Sequence, residues 1–308
     1  MLNKFYKNIS IREYLKRYGL INAIKRGVFT KQKFYFVQDY EMRKVLWQCK
    51  ITKKLNKYVM YKENFLKEIK FNEDIKVNNP IWIYWDSGIE KAPKIVKSCY
   101  KSIIKNVSTE VILLNKENIE KYIILPNWIK KKLKSGGLPV AHYTDILRLA
   151  LLYKYGGTWI DATVYITGKI QKEVLESDFF ALRNSFCLLN NPALFAVWFI
   201  HANPKNIIIE DTLNASLAYW NKKNHIEEYL MTNIIMTMVI NKHGLSKSIY
   251  YSGTDYSEYL MRCLGDIYNK EKMDWIKNLT NIHKLSYKLD KDIDEFDSFY
   301  KHIVEESK

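Results

Sequence analysis

The sequence predicts an α/β protein with a basic helical N-terminal segment, on three observations. Two strand-like stretches, Ile81 to Trp85 and Glu110 to Asn118, the latter running into an Asn/Lys turn, flank a helix-like stretch opened by Ala92-Pro93. A segment from His142 to Ile166 joins an apolar helix to a further strand through Gly156-Gly157. Residues 1 to about 75 combine helical spacing with an excess of Lys and Arg. A chain of 308 residues suits one large domain with an appendage, because single cores stop growing at about 250 to 300 residues. With 47% hydrophobic residues, 23 Tyr and 8 Trp, the interior should be aromatic-rich and the chain folded rather than disordered.

The spacing divides the chain into a helical segment over 1–75, an α/β domain over 76–288 and an acidic terminal helix over 289–308. In the first, Phe5, Ile9, Ile11, Tyr14, Leu15 and Tyr18 precede Gly19, and Met42, Val45, Leu46, Cys49 and Leu55 follow among Lys and Arg. Two or three amphipathic helices are the economical reading. Residues 1–80 hold 19 Lys and Arg against 7 Asp and Glu, so +12 of the total +16 sits there. Such a segment is either a solvated cap on the main domain or a surface for anionic lipid, where each Lys or Arg contributes roughly 1 kcal/mol. Nucleic acid is not expected as a partner, because the charge is confined to one end and no nucleic-acid-binding motif accompanies it. The N-terminus lacks the apolar run of a signal peptide or anchor. Cys49, Cys99, Cys187 and Cys263 lack zinc-site spacing and read as reduced structural residues. The expected location is cytoplasmic, free or peripheral on the inner membrane face.

Along the domain, Ile81 to Trp85 reads as a buried strand delivering Asp86-Ser87-Gly88 at its carboxyl end. Pro93 suits the first turn of the helix that follows. With the second strand this makes a parallel βαβ unit, which binds ligands beyond the carboxyl ends of its strands. A dinucleotide GxGxxG is absent after the first strand. Between Ala141 and Tyr153 apolar residues cover almost the whole helical circumference, marking a buried helix, and Gly156 stands where a C-cap glycine belongs. Asp178 to Asn184 and Pro192 to Ala202 read as strands, and His225 to His243 as one amphipathic helix closed by Gly244.

Four groups could carry chemistry. Asp145 and Arg148, three residues apart on an apolar helix, form either an internal ion pair or a grip on a phosphate or sugar hydroxyl, since unpaired buried charge costs several kcal/mol. Asp161, past the double-glycine turn, is either a turn residue or an oxygen ligand for a cation bridging phosphates. His283 could add a metal ligand, and Lys284 or Lys288 could neutralise a diphosphate. Trp82, Tyr84 and Trp85 alternate faces, so one could stack on a base while others fill the core.

The stretch HYTDILRLALLYKYGGTWIDATVYITG closely resembles the central signature of the bacterial capsular polysaccharide synthesis proteins, glycosyltransferases similar to the DXD-containing sugar transferases. The resemblance extends to IWIYWDSGIEKAPKIVKSCYKSI and IHKLSYK, covering roughly residues 78 to 288. It implies a GT-A fold, a Rossmann-like nucleotide-sugar-binding α/β domain, and hexosyl transfer with retention from a nucleotide diphosphate sugar, UDP-linked. The implied acceptor is a capsular or surface glycan carried on a lipid such as undecaprenyl. By position, Trp82 or Trp85 and Asp86 would contact base and ribose, Asp145 and Arg148 the sugar and phosphate, and Lys284 the diphosphate. Asp161 falls on the first Asp of the DXD motif and His283 on the stretch that completes its Mn²⁺ or Mg²⁺ site. Thr163 replaces the second Asp, and a hydroxyl is the weaker ligand. The missing carboxylate also motivates an alternative, a non-catalytic nucleotide-sugar or glycan-binding module on the same fold.

Overall fold

The computed structural model describes residues 10–30, 40–184, 191–289, 293 and 296–306. Phe5, Ile9, Cys187 and most of the 290–295 acidic stretch lie outside the described residues.

The N-terminal segment begins with α1 (Ile11–Val28), capped by Ser10, whose hydroxyl accepts the Glu13 N–H. Gly19, at φ 68°, kinks it in mid-course. Helix α2 (Tyr40–Val59) packs on two later helices and buries Trp47, Ile51 and Leu55 in the same core as the rest of the chain. A two-residue strand β1 (Lys70–Phe71) follows.

The domain then runs β2 (Ile81–Tyr84), α3 (Lys94–Asn106), β3 (Val111–Leu114), β4 (Ile123–Ile124), α4 (Asn127–Ser135), α5 (Val140–Tyr155), β5 (Gly157–Ile160) and β6 (Val164–Ile166). It continues with α6 (Lys172–Leu175), β7 (Phe179–Arg183), β8 (Phe195–Ala202), α7 (Ile207–Lys222), α8 (Met231–Lys242), α9 (Thr254–Cys263), α10 (Lys270–Leu279), β9 (Ile282–Lys284) and α11 (Phe299–Glu305). The central sheet has the order β3-β2-β5-β8-β7. Strands β3, β2 and β5 are parallel, with Ile81 opposite both Val111 and Thr158, whereas β8 runs antiparallel to both its neighbours, β5 and β7. The expected βαβ unit is thus present within a mixed sheet.

Period-two alternation divides the core. Trp82 and Tyr84 face the layer of α5, α7, α8 and α2, while Ile81 and Ile83 face α3 and the C-terminal helices. Helix α5 is buried on nearly every side, including Ile146, Leu147, Leu149, Leu151 and Leu152, as its continuous apolar circumference required.

Two elements differ from expectation. Helix α8 starts at Met231 rather than His225 and is buried throughout most of its length, not amphipathic. Residues 225–230 are instead tied down by side chains from elsewhere: Lys54 to Glu227 at 2.7 Å, Arg26 to Glu228 at 3.3 Å, and the Tyr219 hydroxyl to the His225 carbonyl at 2.6 Å. The terminal helix occupies only Phe299–Glu305, where Phe299 and Ile303 are buried against the α3 side of the sheet.

Candidate active site at the carboxyl edge of the sheet

Strands β2 and β5 end side by side and deliver Asp86 and Asp161 at one edge. Helix α5 runs into β5 through Gly156 and Gly157, so Arg148 on the helix and Asp161 beyond the strand return to each other. Arg148 Nη2 lies 3.2 Å from Asp145 Oδ1 and 3.2 Å from Asp161 Oδ1. Its Nη1 donates to the Val197 carbonyl of β8, and its guanidinium stands 5.1 Å from the Trp159 ring centroid. Arg148 is buried, as its role in a two-carboxylate ion cluster requires.

Asp145 has further partners. The Thr232 hydroxyl donates to its Oδ2 at 2.7 Å, and His142 Nδ1 lies 3.3 Å from the same oxygen. Burial alone would raise the Asp145 pKa, but Arg148, His142 and Thr232 outweigh it and hold the carboxyl below its ordinary range. Asp161 behaves alike: burial opposes ionisation, yet Lys284 first and then Arg148 and Trp159 keep it ionised.

Strand β9 pairs antiparallel with β6, setting Lys284 opposite Val164 and His283 opposite Tyr165. Adjacent residues on a strand point to opposite faces, and here the parity selects the lysine. Lys284 Nζ donates to Asp161 Oδ2 at 2.7 Å and to Thr163 Oγ1 at 2.8 Å. His283 points away into the protein, fully buried, with Nε2 3.0 Å from Thr167 Oγ1. Burial, helped by Lys277, pushes its pKa down to about 4. The expected grouping of His283 with Asp161 is therefore not formed.

This arrangement bears directly on a divalent cation, which needs hard oxygen ligands with free lone pairs. Asp161 Oδ1 accepts from the Trp159 indole at 2.9 Å and faces Arg148, while Oδ2 and Thr163 Oγ1 are both bonded to Lys284. Among the described residues, no three His, Cys, Asp or Glu side chains converge as a metal site. The residues as placed do not fit Mn²⁺ or Mg²⁺; the Lys284 ammonium stands between the oxygens that would hold it.

The aromatic residues separate as their strand parity dictates. Trp82 is fully buried, 5.3 Å from Tyr122 and 5.7 Å from Tyr155 between ring centroids, with its indole N–H donating to the Gly156 carbonyl at 2.9 Å. It is a core residue, with no face left for a base. Trp85, half-buried at the strand end, meets Tyr287 edge-on at 5.2 Å. Asp86 is exposed and accepts the Tyr84 hydroxyl at 2.7 Å.

Two site residues had no sequence signal. Tyr229 precedes α8 and packs 6.0 Å from His142. Burial, then the charges of Asp145 and Asp161, raise its phenol pKa. Glu258 lies on α9, which packs on β9; burial raises its carboxyl pKa although Arg262 and Lys284 oppose the shift.

The chain matches the family described as capsular polysaccharide synthesis protein over residues 28–303. It belongs to that family. It is similar to the O-glycosyltransferase PaGT of Phomopsis amygdali, with 29% identity over 101 residues, 30% of this chain and 25% of that protein. The match thus spans about a quarter of that relative's length. A solved structure described as PaToxG Glycosyltransferase aligns with a TM-score of 0.39 at 15% identity, covering 68% of this chain and 82% of that one.

Proposed function

We propose that this protein is a glycosyltransferase that moves a hexose from a nucleotide diphosphate sugar, UDP-linked, onto a capsular or surface glycan carried on a lipid such as undecaprenyl. The reading takes the α/β domain as a GT-A-type donor-binding unit with the donor across the carboxyl edge of β2 and β5. The observation that carries it is the pairing of two cations, Arg148 and Lys284, with Asp161 at that edge. Family membership and the similarity to an O-glycosyltransferase support the same reaction class.

In the reaction the bond between the anomeric carbon and the diphosphate oxygen breaks, the electron pair leaving with the diphosphate. An acceptor hydroxyl forms the new bond to that carbon, and its proton passes to the departing diphosphate. Developing charge on the diphosphate is the principal electrostatic demand. Lys284, about a fifth exposed, would share its ammonium with that oxygen, while the buried Arg148, 3.2 Å from Asp161 Oδ1, would hold that carboxylate in position. Trp85 and Asp86, at the end of β2, are the groups available to base and ribose. Asp161 and Asp145 would orient sugar hydroxyls as acceptors. Product analysis for retention of configuration completes the reading.

A screen of UDP- and GDP-sugars for release of the nucleoside diphosphate tests the proposal. Release from one donor by the wild type, lost in Asp161→Asn, is the expected result. Tight binding of nucleoside diphosphates with no release from any donor would instead identify a non-catalytic binding module.

A further inference from the structure

Helix α1 turns its polar and apolar residues in an unusual direction. Its inward side is made by Tyr18, Ala23 and Arg26, all buried, the last bonded to Glu228. Its outward side carries Ile11, Leu15, Leu20, Ile21, Ile24 and Val28, with Ile11 80% and Ile21 67% exposed. The spacing 11 and 15, then 20–21, 24 and 28, places one apolar stripe on each side of the Gly19 kink. Scattered exposed aliphatics are ordinary, but six along one helix are the kind of grouping that marks a binding surface.

The exposed charges on this helix are Arg12, Lys16, whose side chain lies over Gly136, and Lys25, against one acid, Glu13, which is bonded to Arg17. An apolar face bordered by cations matches a helix lying in the headgroup layer of an anionic bilayer. A second copy of the chain is the poorer occupant, since a protein of net charge +16 would bring like charge to like charge. Among the described residues no helix is long and apolar enough to cross a membrane, so α1 would lie in the interface plane.

The helix also touches the segment that precedes α8. The Arg17 carbonyl accepts the Ile226 N–H at 3.1 Å, and Gly19 lies against the His225 ring. That same 225–230 segment carries Tyr229 to His142 beside Asp145. Helix α1 is therefore linked to the ionic cluster through that one short segment.

We infer that the outer face of α1 docks on anionic lipid. This goes beyond the transfer reading and does not depend on it. The full chain is tested by co-flotation with vesicles of phosphatidylcholine alone and with added phosphatidylglycerol, at low and high salt. The wild type is expected to bind the phosphatidylglycerol vesicles on the order of tenfold more tightly, with binding weakened by salt. The double variant Ile21→Ser/Ile24→Ser should lose roughly tenfold in vesicle affinity, with an unchanged melting temperature and unchanged release of nucleotide from a donor. Equal binding to both vesicle types, no binding, or wild-type affinity in the double variant would overturn the inference. A concentration-dependent dimer by light scattering, dissolved by the same variant, would assign the face to a second copy and equally overturn it.

Discussion

Lys284 Nζ and Asp161 Oδ2 stand 2.7 Å apart, with Thr163 Oγ1 2.8 Å from the same ammonium. The position of the absent second carboxylate is thereby filled by a hydroxyl that accepts from a cation. Nucleotide release should accordingly persist in excess chelator. Lys284→Met should lower turnover on the order of a hundredfold, in chelator and in Mn²⁺ alike. Strong metal activation of the wild type, with Lys284→Met unaffected, would sink this assignment.

Arg148 presents a different case, because it is both buried and shared between two carboxylates. Removing one partner from such a cluster leaves uncompensated buried charge, at a cost of about 3–5 kcal/mol. Arg148→Ala should thus lower the denaturation midpoint as well as activity. Lys284→Met, at a partly exposed position, should stay much closer to wild-type stability. Chemical denaturation of the two variants side by side checks the contrast.

Trp82 and Trp85 should separate in the same manner. Trp82→Ala empties a fully buried site and should cost about 3–5 kcal/mol. Trp85→Ala should change stability little and instead raise the donor KM. Comparable KM values for wild type and Trp85→Ala would remove this residue from the donor site.

Stability should also fall on mild acidification. Burial pushes both His201 and His283 down to a pKa of about 4, against about 6.5 when unfolded. Between those values the unfolded chain binds more protons, so stability is full above about pH 6.5 and declines as pH falls towards 4. Each histidine contributes roughly 2 kcal/mol of that loss by pH 5. Melting curves from pH 7 to 5 should show the decline, and His201→Asn should flatten it.

Much of the sheet was legible because its residues carry their own pattern. The runs Ile81–Tyr84 and Phe195–Ala202 are rich in aromatic and β-branched residues, and apolar residues cover almost the whole circumference of α5. Direction was not legible, because a buried strand reads the same whether parallel or antiparallel, so the reversal at β8 left no trace. The start of α8 was hidden for another reason: Glu227 and Glu228 answer to Lys54 and Arg26, more than 170 residues away. At the site, His283 and Lys284 are neighbours, and only the pairing of Val164 with Lys284 decides which one reaches Asp161. Glu258 had no motif around it, and only the packing of α9 on β9 brings it near Lys284.

The two glycines that close α5 have a reach beyond their turn. At Gly157, with φ 93°, a Cβ would fall 2.2 Å from the Pro80 carbonyl oxygen, and that same oxygen accepts the Thr158 N–H at 2.8 Å. A side chain there would pry β5 from β2 at its first rung. Asp161 follows the far end of those four residues, so the placement of the charged cluster depends on a hydrogen atom at the opposite end of the strand.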